Sequence, residues 1–438
     1  MAAHRIVIVG GGAGGLPLAC VLGRKLGRRG RAEVTLVDPH PTHVWKPLLH
    51  EVAAGRMDPD AHGVDYPALA YRHGFRFRQG AMEGLDREAR TIRVAAVRDD
   101  ESGEILPVRD LPWDTLVLAV GSESNDFGVP GVAEHAIPLD TLRQAERFHR
   151  RLLAASVRAD ARKAQGGAAG VDIVIIGAGA TGVELAAEIR QTTRAHAAYG
   201  LDHLEPERDI RIAVIEAAPR ILPPLSPEIA AAAADLLGRL RVDVHVGERV
   251  VEVTGAEVRT ASGLRLSADL VVWAAGIRAP GWLAGLGGLE TNRAHQLVVR
   301  ESLQTTRDAD VFAFGDCAAC PWPQHASGAI LPPRAQVAHQ QAGLLAKSMR
   351  ARLDGRPLPD FRFRDYGSLV SLGELSAVGT LMGALIGGSL VVQGLVARWM
   401  YASLYKAHQV ALHGVARVIL DSIGRSLRGG MEPRVKLH

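Results

Sequence analysis

Arg5-Ile6-Val7-Ile8-Val9-Gly10-Gly11-Gly12-Ala13-Gly14-Gly15 has a counterpart at Asp172-Ile173-Val174-Ile175-Ile176-Gly177-Ala178-Gly179-Ala180-Thr181-Gly182. Each is a β-branched apolar run, then a glycine-rich turn, then an Ala/Leu-rich stretch that reads as a helix. Glycines at this spacing let the backbone turn tightly and approach a pyrophosphate, whose charge the helix N-terminus stabilises. A second apolar strand ending in an acid follows each copy, Glu33-Val34-Thr35-Leu36-Val37-Asp38 and Ile210-Arg211-Ile212-Ala213-Val214-Ile215-Glu216. Asp38 and Glu216 are thereby placed to hold a ribose hydroxyl. One copy alone could be a tight strand-to-helix turn. Two copies, each with strand, helix and terminal acid, point to two dinucleotide sites.

A third stretch separates the two sites. Val311-Phe312-Ala313-Phe314-Gly315-Asp316-Cys317-Ala318 is a short strand ending in Gly-Asp, the pattern with which two-dinucleotide flavoproteins hold FAD, and it assigns Asp316 to the ribityl chain. An aspartate after a strand could equally cap the next helix. Leu116–Gly121 and Leu270–Gly276 end in small residues, Ala119 and Gly121 in the first and Ala275 and Gly276 in the second, and resemble the crossings between FAD and NAD domains. The expected fold is α/β, with two Rossmann-like domains. Residues 1–121 and 281–365 form the FAD-binding domain, 122–280 the NAD-binding domain, and 366–438 a C-terminal membrane-associating region. Cofactor contacts fall on Gly10, Gly12, Ala13, Gly14, Gly15, Asp38, Ala119, Gly121 and Asp316 for FAD. For NAD they fall on Gly177, Gly179, Thr181, Gly182, Glu216, Ala275 and Gly276. The stretch from Ala159 to Gly170 reads as a loop or crossover, and Arg190 to Arg208 as an insertion after the second fingerprint helix.

At 438 residues, 47% hydrophobic and 22% charged, the composition is that of an ordinary globular protein of two to three domains. The first strand starts at Arg5, so no signal sequence is expected ahead of it and the domain is expected to fold in the cytosol. Three cysteines are too few for a disulfide framework. Cys317 and Cys320 form a C-x-x-C, which could be a redox dithiol or, with His325, part of a metal site. Zinc wants four ligands, no metal is expected, and two half-buried inert thiols are the simpler reading.

The net charge is +4, yet from Arg398 onward seven Lys/Arg stand against two Asp/Glu. A basic tail can serve nucleic acid. Here Trp399, Met400, Tyr401, Leu404, Tyr405, Val410, Leu412, Val415, Val418 and Ile419 interleave with Arg398, Lys406, His408 and Arg417 at helical spacing. That pattern predicts a helix lying in an anionic membrane interface rather than a nucleic-acid partner. Packing on the protein's own core is the alternative. Leu375 to Ala397 is uncharged and long enough to span a bilayer, but five glycines and the strand-like Ser368–Leu372 before it predict a strand, a glycine-rich turn and a strand.

Ala335-Gln336-Val337-Ala338-His339-Gln340-Gln341 matches the signature of the type II NADH dehydrogenases, single-subunit FAD-dependent NADH:quinone oxidoreductases. The loop Asp38-Pro39-His40-Pro41-Thr42-His43-Val44-Trp45-Lys46-Pro47-Leu48-Leu49-His50, the Gly315-Asp316-Cys317 turn and Trp399/Tyr401/Tyr405/His408/Gln409 are also similar to that family, essentially end to end. The resemblance implies non-covalent FAD contacted at Lys46, NADH as substrate with Glu184 at the nicotinamide, and a membrane quinone at Gln336, His339 and Gln340. Gln336 and Gln340 share one helix face, and neutral amides can bond a quinone carbonyl without a charge to desolvate. It implies a peripheral, monotopic enzyme on the cytoplasmic face of the inner membrane, with a homodimer left open. No ionisable residue sits in a convincing span, so oxidation is expected to be uncoupled from pumping. A sulfide:quinone oxidoreductase would need reactive cysteines from separated segments, whereas two of the three here share one turn. A non-catalytic NADH-binding flavoprotein is the remaining alternative.

Overall fold

The computed structural model describes residues 3–99, 101–325, 328–371, 377–383, 388–393, 403, 405–406 and 408–428. The chain forms two compact units, one of Met1–Trp45, Gly63–Glu123 and Ile277–Arg364, the other of Lys46–His62, Ser124–Gly276 and Asp365–His438.

In the first unit the parallel sheet runs Val311–Ala313, Thr115–Leu118, His4–Val9, Ala32–Asp38, Arg76–Gln79. The central strands are apolar on both faces, as a sheet covered on both sides requires: Ile6, Val7, Ile8, Leu36, Val37 and Val117 are buried. In the second unit the order is Ala136–Pro138, Leu270–Trp273, Val171–Ile176, Ile210–Glu216, Val242–Val246, again parallel. The two sheets repeat one plan. The fingerprint strand lies at the centre, the acid-ended strand on one side and the strand ending in small residues on the other. In open parallel sheets of this kind ligands bind at the carboxyl ends of the strands, where the glycine-ended segments lie.

Two expectations are corrected by helix length. The helix Leu142–Ala164 runs through the first half of the segment expected as a loop. A capping box, with Thr141 and Gln144 each bonding the other's backbone N–H, starts it, which is why its N-terminus is well defined. The supposed insertion from Arg190 begins inside the second fingerprint helix, which extends over Ala180–Ala198. Arg190 is fully buried, donating to the carbonyls of Pro206, Leu240 and Arg241, so it ties that helix to the end of the next one.

Toward the C-terminus Gly367–Ser371, Ala377–Gly383 and Gly388–Gln393 form an antiparallel three-stranded sheet, in place of a spanning helix. Among the described residues no helix is long and apolar enough to cross a membrane. Trp399 and Tyr401, expected on the interfacial face, lie outside the described residues, as does the turn at 384–387. His408, Gln409 and Leu412 are buried. Val415 and Ile419, expected on that face, are each more than half exposed on the helix Val415–Arg428, as are Leu420 and Ile423, while Val418 is buried.

Candidate functional site: two glycine cradles and the residues around them

Gly10 has φ +99°, and a Cβ there would stand 2.3 Å from the Ala119 carbonyl oxygen of the neighbouring strand. A Cβ on Gly15 would meet the Gly10 oxygen at 1.9 Å, so the helix can start this close to the turn only without a side chain. Gly12, by contrast, faces open space, with nothing within 4 Å of its Cβ position. No side chain caps the following helix, leaving its first N–H groups for an anion. The second cradle repeats this. Gly177 (φ +104°) would clash with Ala274, Gly182 would meet the Gly177 oxygen at 1.9 Å, Gly179 is open, and its helix is likewise uncapped by a side chain. Ala13 is half-buried beside the first cradle and Thr181 exposed beside the second. The residues present fit two pyrophosphates.

The strand-terminal acids do more than the sequence implies. Asp38 accepts the Gly11 N–H at 2.7 Å and the His40 N–H at 2.9 Å. Glu216 accepts those of Ala178 at 2.8 Å and Ala218 at 2.9 Å. Each carboxylate thus clamps its own glycine loop and keeps lone pairs for a ribose. Burial pushes the Asp38 carboxyl upward, opposed by those two N–H bonds. Tyr66, which sequence reasoning passed over, donates its hydroxyl to the Gly11 carbonyl at 2.9 Å.

Asp316 sits in a single turn, Gly315–Cys317, with Gly315 at φ +73°. Ser122 donates to its carboxylate at 2.8 Å, Gln296 to its carbonyl at 3.0 Å, and Gln341 accepts the Gly315 N–H at 2.8 Å. Three side chains from distant segments therefore hold this turn: Gln341 is the last residue of the Ala335–Gln341 signature, Ser122 follows the Leu116–Gly121 crossing, and Gln296 adjoins no motif read from the sequence. Cys317 and Cys320 are fully rather than half-buried. Burial raises their thiols to about 11 and about 12, so both are inert at neutral pH. Among the described residues no cluster of His, Cys, Asp or Glu could hold a metal.

In the second unit Glu184 is buried on the Ala180–Ala198 helix, its carboxylate 3.5 Å from Nδ1 of buried His50. Burial lowers His50 to about 4, so this is a contact with a neutral imidazole. One turn on, Glu188 pairs with Arg56 at 2.9 Å, and Arg56 also donates to Gln191 at 2.8 Å. Burial, with the Glu188 charge beside it, raises Glu51 to about 7 against Arg56, which lowers it. The folded chain therefore binds the Glu51 proton more tightly than the unfolded chain. That contribution to stability is complete below pH 4.5 and fades as pH rises through 7. Glu51→Gln, which mimics the protonated form, should be more stable than the parent by about 1–2 kcal/mol above pH 7.5 and equal to it near pH 5. Thermal unfolding of both proteins across that range checks it, and a gap independent of pH would refute it. Lys46 pairs with Asp140 at 3.0 Å, and Asp140 also accepts the Ser124 N–H at 2.9 Å. Residues 46–62, grouped by sequence with the first nucleotide domain, pack in the second unit.

The helix Ala335–Leu353 brings Gln336, His339 and Gln340 onto its first turns. Their side chains differ. Gln340 is committed to the backbone of Arg364, donating to its carbonyl at 2.7 Å and accepting its N–H at 3.1 Å. His339 is exposed. Gln336 alone has a buried amide oxygen with no hydrogen-bond partner among the described residues.

Residues 4–342 match the family model described as pyridine nucleotide-disulphide oxidoreductase. A type II NADH:quinone oxidoreductase of Haemophilus influenzae is 40% identical over 445 residues, covering 99% of both chains. NdhA of Mycobacterium tuberculosis, another type II NADH:quinone oxidoreductase, is 27% identical over 86% of this chain and 78% of that one. Among solved structures, NDH2 of Plasmodium falciparum in complex with NADH gives a TM-score of 0.78 at 18% identity over 99% of this chain and 100% of that one. The sulfide:quinone oxidoreductase of Aquifex aeolicus gives 0.70 at 18% over 98% and 95%, a likeness of fold alone. With both cradles, both acids and the Gly-Asp turn in place along a full-length match, the chain belongs to the pyridine nucleotide-disulphide oxidoreductases and, within them, to the type II NADH:quinone oxidoreductases.

Proposed function

We propose that this chain oxidises NADH and reduces a membrane quinone, with non-covalent FAD at the first cradle and NADH at the second. One observation carries the reading: two open, uncapped glycine cradles, each clamped by its own acid, in a chain 40% identical over 99% of its length to a type II NADH:quinone oxidoreductase. The flavin supplies hydride acceptance and two-electron release. The protein's part is positional. Gly12 and Gly179 admit the pyrophosphates, Asp38 and Glu216 fix loops and riboses, and Asp316 takes the ribityl. Glu184 lies toward the nicotinamide, and Gln336 offers an amide to the quinone. Oxidation on this reading is uncoupled from proton translocation. The test is steady-state NADH oxidation by the purified protein with a water-soluble quinone, where a rate no faster than that with dissolved oxygen as the sole acceptor would oppose it.

Glu216 predicts cofactor choice. A carboxylate at the ribose bonds a 2′-hydroxyl and repels a 2′-phosphate; Arg220, four residues on in the chain, donates through Nη2 to the Pro223 carbonyl. kcat/KM should favour NADH over NADPH, and Glu216→Ala should narrow that ratio by about tenfold, near 1.4 kcal/mol. Comparable efficiency with both nucleotides in the parent would sink the assignment.

The membrane contact is assigned to the exposed apolar face of Val415–Arg428, beside Arg417, lying in the plane of the cytoplasmic leaflet. Each large side chain buried there contributes about 1–2 kcal/mol. Ile419→Glu with Leu420→Glu should therefore lower recovery with anionic vesicles at least tenfold while leaving ferricyanide reduction by NADH intact. Unchanged recovery would move the anchor elsewhere.

A further inference from the structure

Along the Leu142–Ala164 helix, Arg151, Arg158 and Arg162 fall within about 40° of one another at 100° per residue, over roughly 16 Å of axis. All three are exposed. None has a carboxylate or any other hydrogen-bond partner among the described residues. They stand around a surface cavity of about 280 Å³ whose floor is Ala155 and Ala159 and whose far wall is Gly170, Val171, Asp269 and Leu270. Small alanines between the arginines leave room for a ligand to lie against the helix.

The acids nearby are engaged elsewhere. Asp269 accepts the Asp172 N–H at 2.8 Å, Asp172 pairs with Arg211, Asp209 with Lys163, and Asp160 accepts the His203 N–H at 2.8 Å. Glu146, the other acid of this helix, projects more than about 100° away. Three guanidiniums one and two turns apart repel one another, and no carboxylate among the described residues pairs with them. Exposed faces ordinarily intersperse the two signs. Guanidinium forks are shaped for oxyanions that accept two parallel N–H bonds.

We propose that this trough is a binding site for a phosphate-bearing anion, held by Arg151, Arg158 and Arg162. It is separate from both glycine cradles and independent of the reading of the redox function. The occupant is either a soluble polyphosphate or the phosphate of a lipid headgroup. The chemistry of recognition is the same for both, and a concave site with floor and wall suits a discrete phosphate better than a flat surface.

The test uses the full-length, FAD-loaded protein and the variant Arg151→Gln/Arg158→Gln/Arg162→Gln, whose exposed positions and helix-favouring glutamines preserve the fold. Tripolyphosphate is titrated at constant ionic strength while thermal unfolding is followed by flavin fluorescence. In parallel, recovery is measured on phosphatidylcholine vesicles with and without 30% phosphatidylglycerol, a probe composition of about that order for an anionic leaflet. A soluble occupant predicts a saturable rise in Tm of several degrees that the variant loses, with vesicle recovery unchanged. A headgroup occupant predicts at least a fivefold loss of recovery by the variant on the anionic vesicles alone. If parent and variant agree in both arms, or if sulfate at equal ionic strength reproduces the whole shift in both proteins, the site is overturned.

Discussion

Gly15→Ala should yield protein that retains less than a tenth of the parent's FAD. The new methyl would stand 1.9 Å from the Gly10 carbonyl oxygen, and the obstacle is backbone, which cannot rotate away. The helix must retreat from the strand, at about 1–3 kcal/mol or more for overpacking. That retreat moves the N–H groups that meet the pyrophosphate, so binding falls with stability. Gly12→Ala is the informative contrast. No atom lies within 4 Å of its Cβ position, so the apoprotein should unfold at the parent temperature while flavin affinity drops, because the methyl occupies the ligand's approach. Bound flavin per chain and apoprotein Tm, measured for both variants, separate the two effects. Full flavin in Gly15→Ala would contradict the cradle geometry.

Gln336→Leu should slow reoxidation of the reduced enzyme by quinone about 10- to 100-fold while NADH reduces the flavin at nearly the parent rate. The magnitude follows from a hydrogen bond donated by the Gln336 Nε2–H to the quinone carbonyl, about 1–3 kcal/mol when that oxygen is left unpaired. Its buried oxygen has no partner among the described residues, so removing it should leave Tm equal or higher. Gln340→Leu should behave differently. Its amide holds the Arg364 backbone through two hydrogen bonds, so its replacement should lower Tm through two unpaired backbone groups. Stopped-flow traces of both half-reactions, with Tm for each variant, check the pair. Equal losses in the two half-reactions of Gln336→Leu would remove it from the quinone.

The parts legible in the sequence are those whose chemistry is local. Gly15 and Gly182 are dictated by clashes with the Gly10 and Gly177 carbonyls inside one strand-turn-helix, Gly10 and Gly177 by the positive φ of that same turn, and the acids end strands that pair directly with the fingerprint strands. The rest depends on long-range pairing. Nothing near Ser122 announces a bond to Asp316, 194 residues away. Gln340 matches the same pattern as Gln336, and only the return of the chain at Arg364 distinguishes a structural amide from an open one. The loop beginning at Lys46 reads as part of the first nucleotide domain because it follows that domain in the chain, yet Arg56 and His50 find their partners on the second fingerprint helix. Arg190 shows the same limit, since a charged residue in a helical run gives no sign that three distant carbonyls will bury it. In the C-terminal region amphipathic periodicity was readable, but which stretch stays exposed depends on what packs over residues 408–412.

The central claim is that one chain carries electrons from NADH to quinone through bound flavin. Anaerobic stopped-flow mixing with NADH should bleach the flavin absorbance, and a second mix with a short-chain quinone should restore it fully, without added protein. Bleaching without recovery, or bleaching by sulfide and not by NADH in the first mix, would contradict the account.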